Sequence, residues 1–370
     1  EEAFRKIEQE ALGLDATDGR FYVTVSELVG ERQRRYDVAA ELAAKAIAID
    51  ANDALAFVTY GEALMNLGRT EEARKQFDIA VDKSKRYKDV RRDNWLEVLD
   101  VIDDFRTVET ENFIIRMHPS EVEVMRHYLP DLLEASWNVL TAKYGITPTS
   151  PVYVDAFHRS DDFSVRSVGV PGLPALGVCF GRVITLLGPT SRPVSSFSWA
   201  RTAWHEFAHV ITLQQSKGQV PRWLTEGLSV YEEKARRSTW GREMERQLFD
   251  RYHNDRLLRM DAINRAFRGG DIMFAYYQGG LIAEHLTETR GFDVIPRMLE
   301  AFAEDRTTAE VFQDVLDLDL ADYDRQFRDF VGRIVGDYEM VPRWDRETVA
   351  ALEKRVKEDE ADGEAWVRLA

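Results

Sequence analysis

The sequence predicts an α+β chain in which helices predominate. Three observations support this fold class. Residues 54–87 fit a helical repeat with a period of about 34 residues. Segments rich in β-branched and aromatic residues cluster between residues 112 and 187, and apolar residues from 239 to 338 recur mostly at helical spacing. We therefore expect helical repeats, then a small mixed sheet with its helices, then a second helical region.

The composition limits the class of protein. A chain of 370 residues is long enough for two or three domains, and its apolar content of 44% beside 31% charged residues is typical of a soluble globular protein. No run of about 18 uninterrupted apolar residues occurs, so no membrane span is predicted. The net charge of −16 argues against a nucleic-acid partner, whose phosphate backbone requires a basic surface.

Cys179 is the one cysteine of the chain, which excludes an intrachain disulfide and a cysteine-rich metal site. We expect it to be a small buried residue on a strand. A single cysteine is compatible with the cytoplasm, with a bacterial periplasm and with secretion. The chain begins at Glu1 without an initiator methionine, so we expect the natural protein to be longer.

Helical hairpins are predicted at the beginning of the chain. Small and aromatic residues occupy the packing positions of the 54–87 period: Phe57, Tyr60, Gly61, Leu64, Ala73, Phe77 and Ala80. This pattern is typical of a tetratricopeptide repeat, although a plain stack of helical hairpins would use the same alanines. Residues 20–53 repeat the pattern more weakly, and residues 93–105 predict a further helix.

The same signal returns at the other end of the chain. Residues 358–370 resemble the opening of another repeat, with Trp366 and Leu369 at packing positions. We expect further repeats to follow in the natural protein, because a half repeat leaves an apolar face uncovered. Such arrays usually present a surface to a peptide or protein partner.

Strands are predicted between the repeats, at residues 112–117, 151–157, 175–180 and 182–187. Gly181 is expected to turn the last two strands into a hairpin. One long helix is predicted over residues 121–144, ended by Gly145. Residues 158–174 are predicted to form a mobile loop because of their serine, aspartate, glycine and proline content.

The motif that carries chemistry is His205-Glu206-Phe207-Ala208-His209, within a predicted helix over residues 196–214. Residues four apart share a helix face, so His205 and His209 direct two imidazoles to one point, at a separation that suits a tetrahedral zinc ion. Glu206 is rotated from them by about 100°, which places its carboxylate beside such an ion, where a base for a metal-activated water must lie. The other histidines lack such spacing and are expected at the surface or in the core: His118, His127, His158, His253 and His285.

Zinc held by two histidines needs a third protein ligand, and a carboxylate from a neighbouring helix is a common solution. Glu226 lies early in a helix that is predicted to begin after Pro221. Glu233 shares its face two turns later and would orient a ligand histidine through a hydrogen bond. The alternative is that both glutamates are ordinary solvated helix acids.

These motifs resemble those of a known family. HEFAH followed by W-L-x-E-G-x-x-x-Y-x-E is similar to the gluzincin metallopeptidases, and locally to aminopeptidase N and its relatives. Tyr276-Tyr277-Gln278-Gly279-Gly280 resembles their Y-x-K-G-A segment, with Gln278 in the lysine position. The resemblance implies one zinc ion on His205, His209 and Glu226. It also implies that Tyr276 stabilises the oxyanion of the tetrahedral intermediate, whereas a packed core tyrosine is the alternative.

Two departures limit the resemblance to aminopeptidase N. The G-x-M-E-N segment that binds a free amino terminus is missing, and the spacing from His209 to Glu226 is shorter. Aminopeptidase specificity is therefore not implied. Over residues 107–335 the chain is more similar to the peptidase MA-like proteins, compact bacterial gluzincin domains that are often joined to tetratricopeptide repeats.

In gluzincins a strand at the sheet edge above the zinc pairs with the main chain of an extended substrate. By resemblance this strand would comprise Leu176, Gly177, Val178, Cys179 and Phe180. A plain structural hairpin would explain the same residues.

Four regions are predicted: repeats over residues 1–106, a zincin-like α+β catalytic subdomain over 107–238, a helical C-terminal subdomain over 239–340, and the start of further repeats over 341–370. The predicted function is zinc-dependent hydrolysis of peptide bonds in a peptide or protein substrate, with the repeats docking the substrate or a partner. Two alternatives stay open. One is an inactive repeat scaffold with a metallopeptidase-like domain, and the other is a zinc hydrolase that acts on a non-peptide amide.

Overall fold

The computed structural model describes residues 2–84, 89–194, 196–340, 343 and 346–369. The chain divides into two compact units. The first comprises Glu1–Val220 and Leu299–Arg306, and the second comprises Pro221–Met298 and Thr307–Ala370. Helices make up most of the described chain and the strands form one small mixed sheet, which confirms the predicted α+β class.

Six described helices precede the sheet: α1 (Glu2–Leu14), α2 (Arg20–Leu28), α3 (Tyr36–Ile49), α4 (Ala54–Asn66), α5 (Thr70–Lys83) and α6 (Val90–Asp103). Helices α2 and α3 pair with each other, as do α4 and α5. The predicted packing positions Ala73, Phe77 and Ala80 are fully buried. Gly61 is needed for this pairing, since a Cβ there would lie 2.5 Å from the Phe77 ring. Residues 85–87, the end of the predicted period, lie outside the described residues.

The sheet comprises five strands in the described chain: β1 (Arg106–Glu109), β2 (Phe113–Met117), β3 (Val152–Phe157), β4 (Gly177–Cys179) and β5 (Val183–Leu187). Their order is β1-β2-β3-β5-β4. The central strands β2, β3 and β5 run parallel, and the two outer strands are antiparallel to their neighbours. Strand β1 was not predicted because its exposed residues lack an alternating apolar face. Gly181 forms the predicted turn between β4 and β5, with φ of +86°.

Four further helices belong to the first unit: α7 (Pro119–Met125), α8 (Leu129–Tyr144), α9 (Ser160–Val168) and α10 (Trp199–Gln215). The prediction of one helix over residues 121–144 is wrong, because the chain breaks at residues 126–128. Pro130 causes the restart, since its ring fits only in the first turn of a helix.

The predicted loop over residues 158–174 is wrong for its first half, which forms α9. Phe163 and Arg166 are buried on one face of this helix, and packing of that face outweighs the loop-like composition. Gly169, with φ of +75°, ends the helix.

A buried ion cluster connects the repeat helices to the sheet within the first unit. Asp155 on β3 accepts hydrogen bonds from Arg116 Nε at 2.7 Å and from Arg166 Nε at 3.0 Å. Arg166 also donates from Nη2 to the carbonyl oxygen of Met65 in α4, at 3.0 Å. Asp155 and Arg166 are fully buried. Burial alone would raise the pKa of Asp155, but the charges and hydrogen bonds of the two arginines outweigh it and hold the pKa below its ordinary value.

The described residues from 221 onward form helices and their connections: α11 (Arg222–Arg236), α12 (Glu245–His253), α13 (Ile263–Ala266), α14 (Ile272–Arg290), α15 (Val294–Phe302), α16 (Thr308–Val311), α17 (Leu320–Gly336), α18 (Arg346–Glu358) and α19 (Gly363–Leu369). Short 3₁₀ or π-helical segments also occur at Val29–Gln33, Pro189–Ser191, Ser238–Trp240 and Phe312–Leu316. The helical character predicted for residues 239–338 is confirmed. None of the helices in the described ranges has the length and apolarity needed to cross a membrane.

Helices α18 and α19 pack through Leu352, Val356 and Ala365, and Leu369 covers this cluster as predicted. The predicted packing position of Trp366 is wrong. Its side chain is 52% exposed, and its indole donates a hydrogen bond to the carbonyl oxygen of Glu360 at 3.1 Å.

Candidate metal centre

Helix α10 places the two motif histidines side by side. The helix begins after Ser198, whose hydroxyl accepts a hydrogen bond from the amide of Arg201 at 3.2 Å. His205 and His209 follow on one face with ring centroids 4.8 Å apart, and both are buried. The predicted convergence of the two imidazoles is thus a direct result of helical periodicity.

Aromatic packing fixes the rotation of α10 about its axis. The ring of Phe207 lies 5.5 Å from that of Phe113 on β2 and 5.8 Å from that of Trp137 on α8, between centroids. All three side chains are buried. Because Phe207 is anchored in this core, the adjacent Glu206 and the two histidines must face another direction.

Strand β4 lies directly against the carboxylate of Glu206. A Cβ on Gly177 would lie 2.6 Å from both Cγ and Oε1 of Glu206, so only glycine permits this approach. Burial raises the pKa of the Cys179 thiol, and the negative charge of Glu206 raises it further. The predicted base and the predicted edge strand are therefore neighbours in the first unit.

Glu226 lies at the beginning of α11, which starts after Pro221 as predicted. Arg222, four residues earlier on the same face, donates from Nε to Glu226 Oε1 at 3.3 Å. The Arg222 guanidinium also lies 5.3 Å from the ring centroid of Phe267. Glu226 is buried, so its carboxylate requires compensating positive charge.

Helices α11 and α14 approach closely enough to bring Tyr276 to Glu226. A Cβ on Gly227 would lie 2.5 Å from the carbonyl oxygen of Gly279. Burial raises the pKa of the Tyr276 hydroxyl, and the charge of Glu226 raises it further, whereas Arg222 opposes both. The tyrosine of the predicted Y-x-K-G-A-like segment thus lies beside the predicted carboxylate ligand.

We predict that Gly227→Ala destabilises the second unit. The added methyl group must push α11 away from α14, and overpacking of this kind costs about 1–3 kcal/mol. The free energy of unfolding from urea denaturation measures the effect. Gly336→Ala is the matched control, because a Cβ there meets nothing within 4 Å. Equal stability of the two variants would contradict the close approach at Gly227.

The structure brings together three of the predicted site residues. One ligand atom of each of His205, His209 and Glu226 lies within 4.8 Å of the other two, and all three residues are buried. Two imidazole nitrogens and a carboxylate oxygen are the donor set of many catalytic zinc sites. The residues therefore fit a zinc ion. Within the described ranges no second group of three such side chains meets the same criterion.

The remaining predicted residues have different surroundings. Glu233 is buried, and its carboxylate lies 4.0 Å from Nη2 of Arg242. Gln278 has a structural contact: its side-chain amide bonds both the backbone N–H and the carbonyl oxygen of Leu258. Of the residues predicted to contact substrate, Leu176 and Phe180 lie just outside β4. The carbonyl oxygen of Leu176 accepts a hydrogen bond from the backbone of β5, and the amide of Phe180 donates one to it. Val178 is half-buried and packs on the core of the first unit.

Two arginines near the site were missed by the sequence reading. The contact of Arg222 with Glu226 could have been predicted from the sequence, because Arg222 precedes Glu226 by one helical turn. No sequence pattern predicts the contact of Arg242. Its guanidinium lies 4.8 Å from the ring centroid of Tyr276, a contact that depends on how the segment after α11 folds back.

Two imidazoles and a carboxylate of this kind suit a metal-dependent hydrolase. A family model of the Peptidase MA superfamily matches residues 136–333, more than half of the chain. The chain belongs to the Peptidase MA superfamily. A tetratricopeptide repeat model matches residues 32–91, so the predicted combination of the two is confirmed. No curated protein matches the chain.

Proposed function

We propose that the chain is a zinc-dependent peptidase that hydrolyses peptide bonds in a peptide or protein substrate. The observation that carries the proposal is the buried group of His205, His209 and Glu226. Glu206 supports it, because it follows His205 directly and lies against an edge strand. Membership of the superfamily favours a peptidase-like hydrolase over other metal-dependent chemistry.

Each side chain has a role in the proposed reaction. His205, His209 and Glu226 would hold a zinc ion, which when bound would lower the pKa of water towards about 7 and polarise a carbonyl group. Glu206 accepts the proton of the attacking water and returns it to the leaving amine. The Tyr276 hydroxyl donates a hydrogen bond to the carbonyl oxygen as that oxygen gains negative charge. Glu233 is proposed to orient a ligand histidine.

The outer edge of β4 is the proposed binding surface for substrate main chain. Strand β4 pairs with β5 on one side and is the end strand of the described sheet. An extended peptide can therefore add to it by backbone hydrogen bonds. Such a peptide would pass Gly177, next to Glu206, which is where the scissile bond must lie.

Gly177→Ala is predicted to lower kcat by about 100-fold. The new Cβ cannot lie 2.6 Å from Glu206, so the carboxylate must move, and a displacement of about 1 Å costs this much in rate. Initial rates on a cleaved peptide measure the effect. Zinc content is expected to stay unchanged, because Gly177 is not one of the proposed zinc ligands. An unchanged kcat would show that Glu206 does not act from its observed position.

A digest of a peptide library, read by mass spectrometry, tests the proposed activity. Cleavage at internal or terminal peptide bonds that requires added zinc supports the peptidase. Hydrolysis confined to non-peptide amides would support the second kind of zinc hydrolase. The pattern of termini also separates exopeptidase from endopeptidase activity.

One observation favours an inactive scaffold as the second candidate. Arg222 supplies positive charge to Glu226 at 3.3 Å, so the carboxylate can remain buried without a metal. Metal analysis of the purified protein distinguishes the candidates. One zinc ion per chain supports the enzyme, and a chain that takes up no added zinc supports the scaffold.

A further inference from the structure

A cavity of about 260 Å³ lies within the first unit, and none of the three proposed metal ligands lines it. Helices α2, α3, α4 and α6, with the π-helical segment Val29–Gln33, form one part of its wall. Helix α9 and the turn that follows β4 form the other part. Sites for drug-sized ligands usually enclose about 300–1,000 Å³, so this cavity suits one long side chain.

Two polar atoms of the cavity wall lack partners. Thr59 is only 3% exposed, and its hydroxyl oxygen has no hydrogen-bond partner among the described residues. The side-chain oxygen of Asn66 is also shielded from solvent, and it has no hydrogen-bond partner among the described residues. Burying such atoms without a hydrogen bond is unfavourable. Their position at a cavity therefore indicates a ligand that brings hydrogen-bond donors.

The charges of the wall specify those donors further. Glu27, Glu31, Glu62 and Arg91 line the cavity, and Arg91 pairs with Glu62 at 2.6 Å. Burial raises the pKa of Glu62, and Arg91 opposes this shift. Because the charges of Arg91 and Glu62 cancel, the carboxylates of Glu27 and Glu31 give the cavity wall a net negative charge. A cationic head group is the complementary ligand.

Aromatic rings provide the apolar part of the wall. Tyr36 and Phe180 meet edge to face with centroids 5.7 Å apart, and Trp95 is buried beside them. Rings of this kind pack against an alkyl stem and attract a cation through their faces. The cavity thus offers an apolar wall for a stem and oxygen acceptors for a charged head.

We propose that this cavity binds the side chain of a lysine or arginine in a polypeptide that docks on the first unit. A polypeptide is favoured over a free amine because Phe180 directly follows β4, whose outer edge offers unpaired backbone among the described strands. The proposal concerns binding and does not depend on metal chemistry.

Calorimetric titration of the full chain with blocked pentapeptides tests the proposal. The central residue is lysine, arginine, norleucine or glutamate between alanines, and 1,5-diaminopentane is a further probe. The Glu206→Gln background prevents turnover of the peptides. The lysine and arginine peptides are expected to bind about tenfold more tightly than the norleucine peptide, and the glutamate peptide more weakly still.

Thr59→Val removes the hydroxyl at nearly constant volume and is expected to weaken binding of the lysine peptide by about tenfold. Glu27→Gln should weaken it about threefold, whereas Glu97→Gln, an exposed acid outside the cavity, should have no effect. The melting temperature of Thr59→Val should stay equal or rise, since an unpartnered buried hydroxyl is lost.

Three results would overturn the proposal. They are equal affinity for the lysine and norleucine peptides, unchanged affinity in Thr59→Val, and binding of the diamine as tight as that of the lysine peptide. A lower melting temperature of Thr59→Val with unchanged affinity would assign the hydroxyl a purely structural role.

Discussion

Glu206→Gln is expected to lower kcat by about 10³-fold or more while zinc content stays at the wild-type level. Glutamine has nearly the shape of glutamate but cannot accept a proton, and general acid–base catalysis contributes about 10²- to 10⁴-fold. Glu206 is buried against β4, which holds its carboxylate in one position. Initial rates on a peptide found in the library digest, with zinc measured on the same samples, provide the test.

Glu97→Gln controls for the change of a glutamate elsewhere in the first unit. Glu97 is exposed on α6 and is not one of the proposed metal-binding or catalytic residues. Its rate should equal that of the wild type. Equal rates in Glu97→Gln and Glu206→Gln would contradict the proposed base, and loss of zinc from Glu206→Gln would mean that this side chain supports metal binding instead.

Asp155→Asn is expected to lower the free energy of unfolding by about 3–5 kcal/mol. The substitution leaves the fully buried Arg166 without its counter-charge, and removing one partner of a buried ion pair costs this much. It also weakens the contact that holds α4 on the sheet through Met65. Urea denaturation of the wild type and the variant measures the loss.

Asp100→Asn is the matched control, because Asp100 pairs with Arg74 at 2.7 Å but its side chain is 72% exposed. Such surface pairs contribute about 1 kcal/mol or less. Similar losses in the two variants would contradict the structural role of the buried cluster.

The contribution of Asp155 also depends on pH. Its folded-state pKa is lowered, so its stabilisation is fully present above the unfolded-state value of about 3.9 and is lost as the pH falls through the folded-state pKa. The stability difference between wild type and Asp155→Asn should stay constant from neutral pH down to about 4–5 and narrow below that. A difference that already narrows near pH 6 would contradict the lowered pKa.

The sequence predicts those parts of the site that depend on local geometry. His205 and His209 converge because residues four apart share a helix face, and α11 begins after Pro221 because proline suits a helix start. The resemblance to the family motif predicted Tyr276 as a further site residue, and Tyr276 lies beside Glu226. Each of these predictions rests on residues within one helix or one known motif.

Contacts between distant segments of the chain could not be predicted from the sequence. Arg166 bonds the carbonyl oxygen of Met65 from 101 positions away, and no periodic pattern indicates that pairing. The need for glycine at position 177 follows only from its contact with Glu206 in the folded chain, which the sequence does not indicate. Helix α9 was missed for a related reason, since its stability depends on the burial of Phe163 and Arg166 against other elements.

Zinc titration of metal-free protein tests the central claim most directly. We predict that the wild type binds one zinc ion per chain and that Glu226→Gln binds it at least about 100-fold more weakly, because a ligand carboxylate is replaced by a neutral amide. Zinc binding that is absent from the wild type, or equally tight in Glu226→Gln, would contradict a metal centre formed by His205, His209 and Glu226.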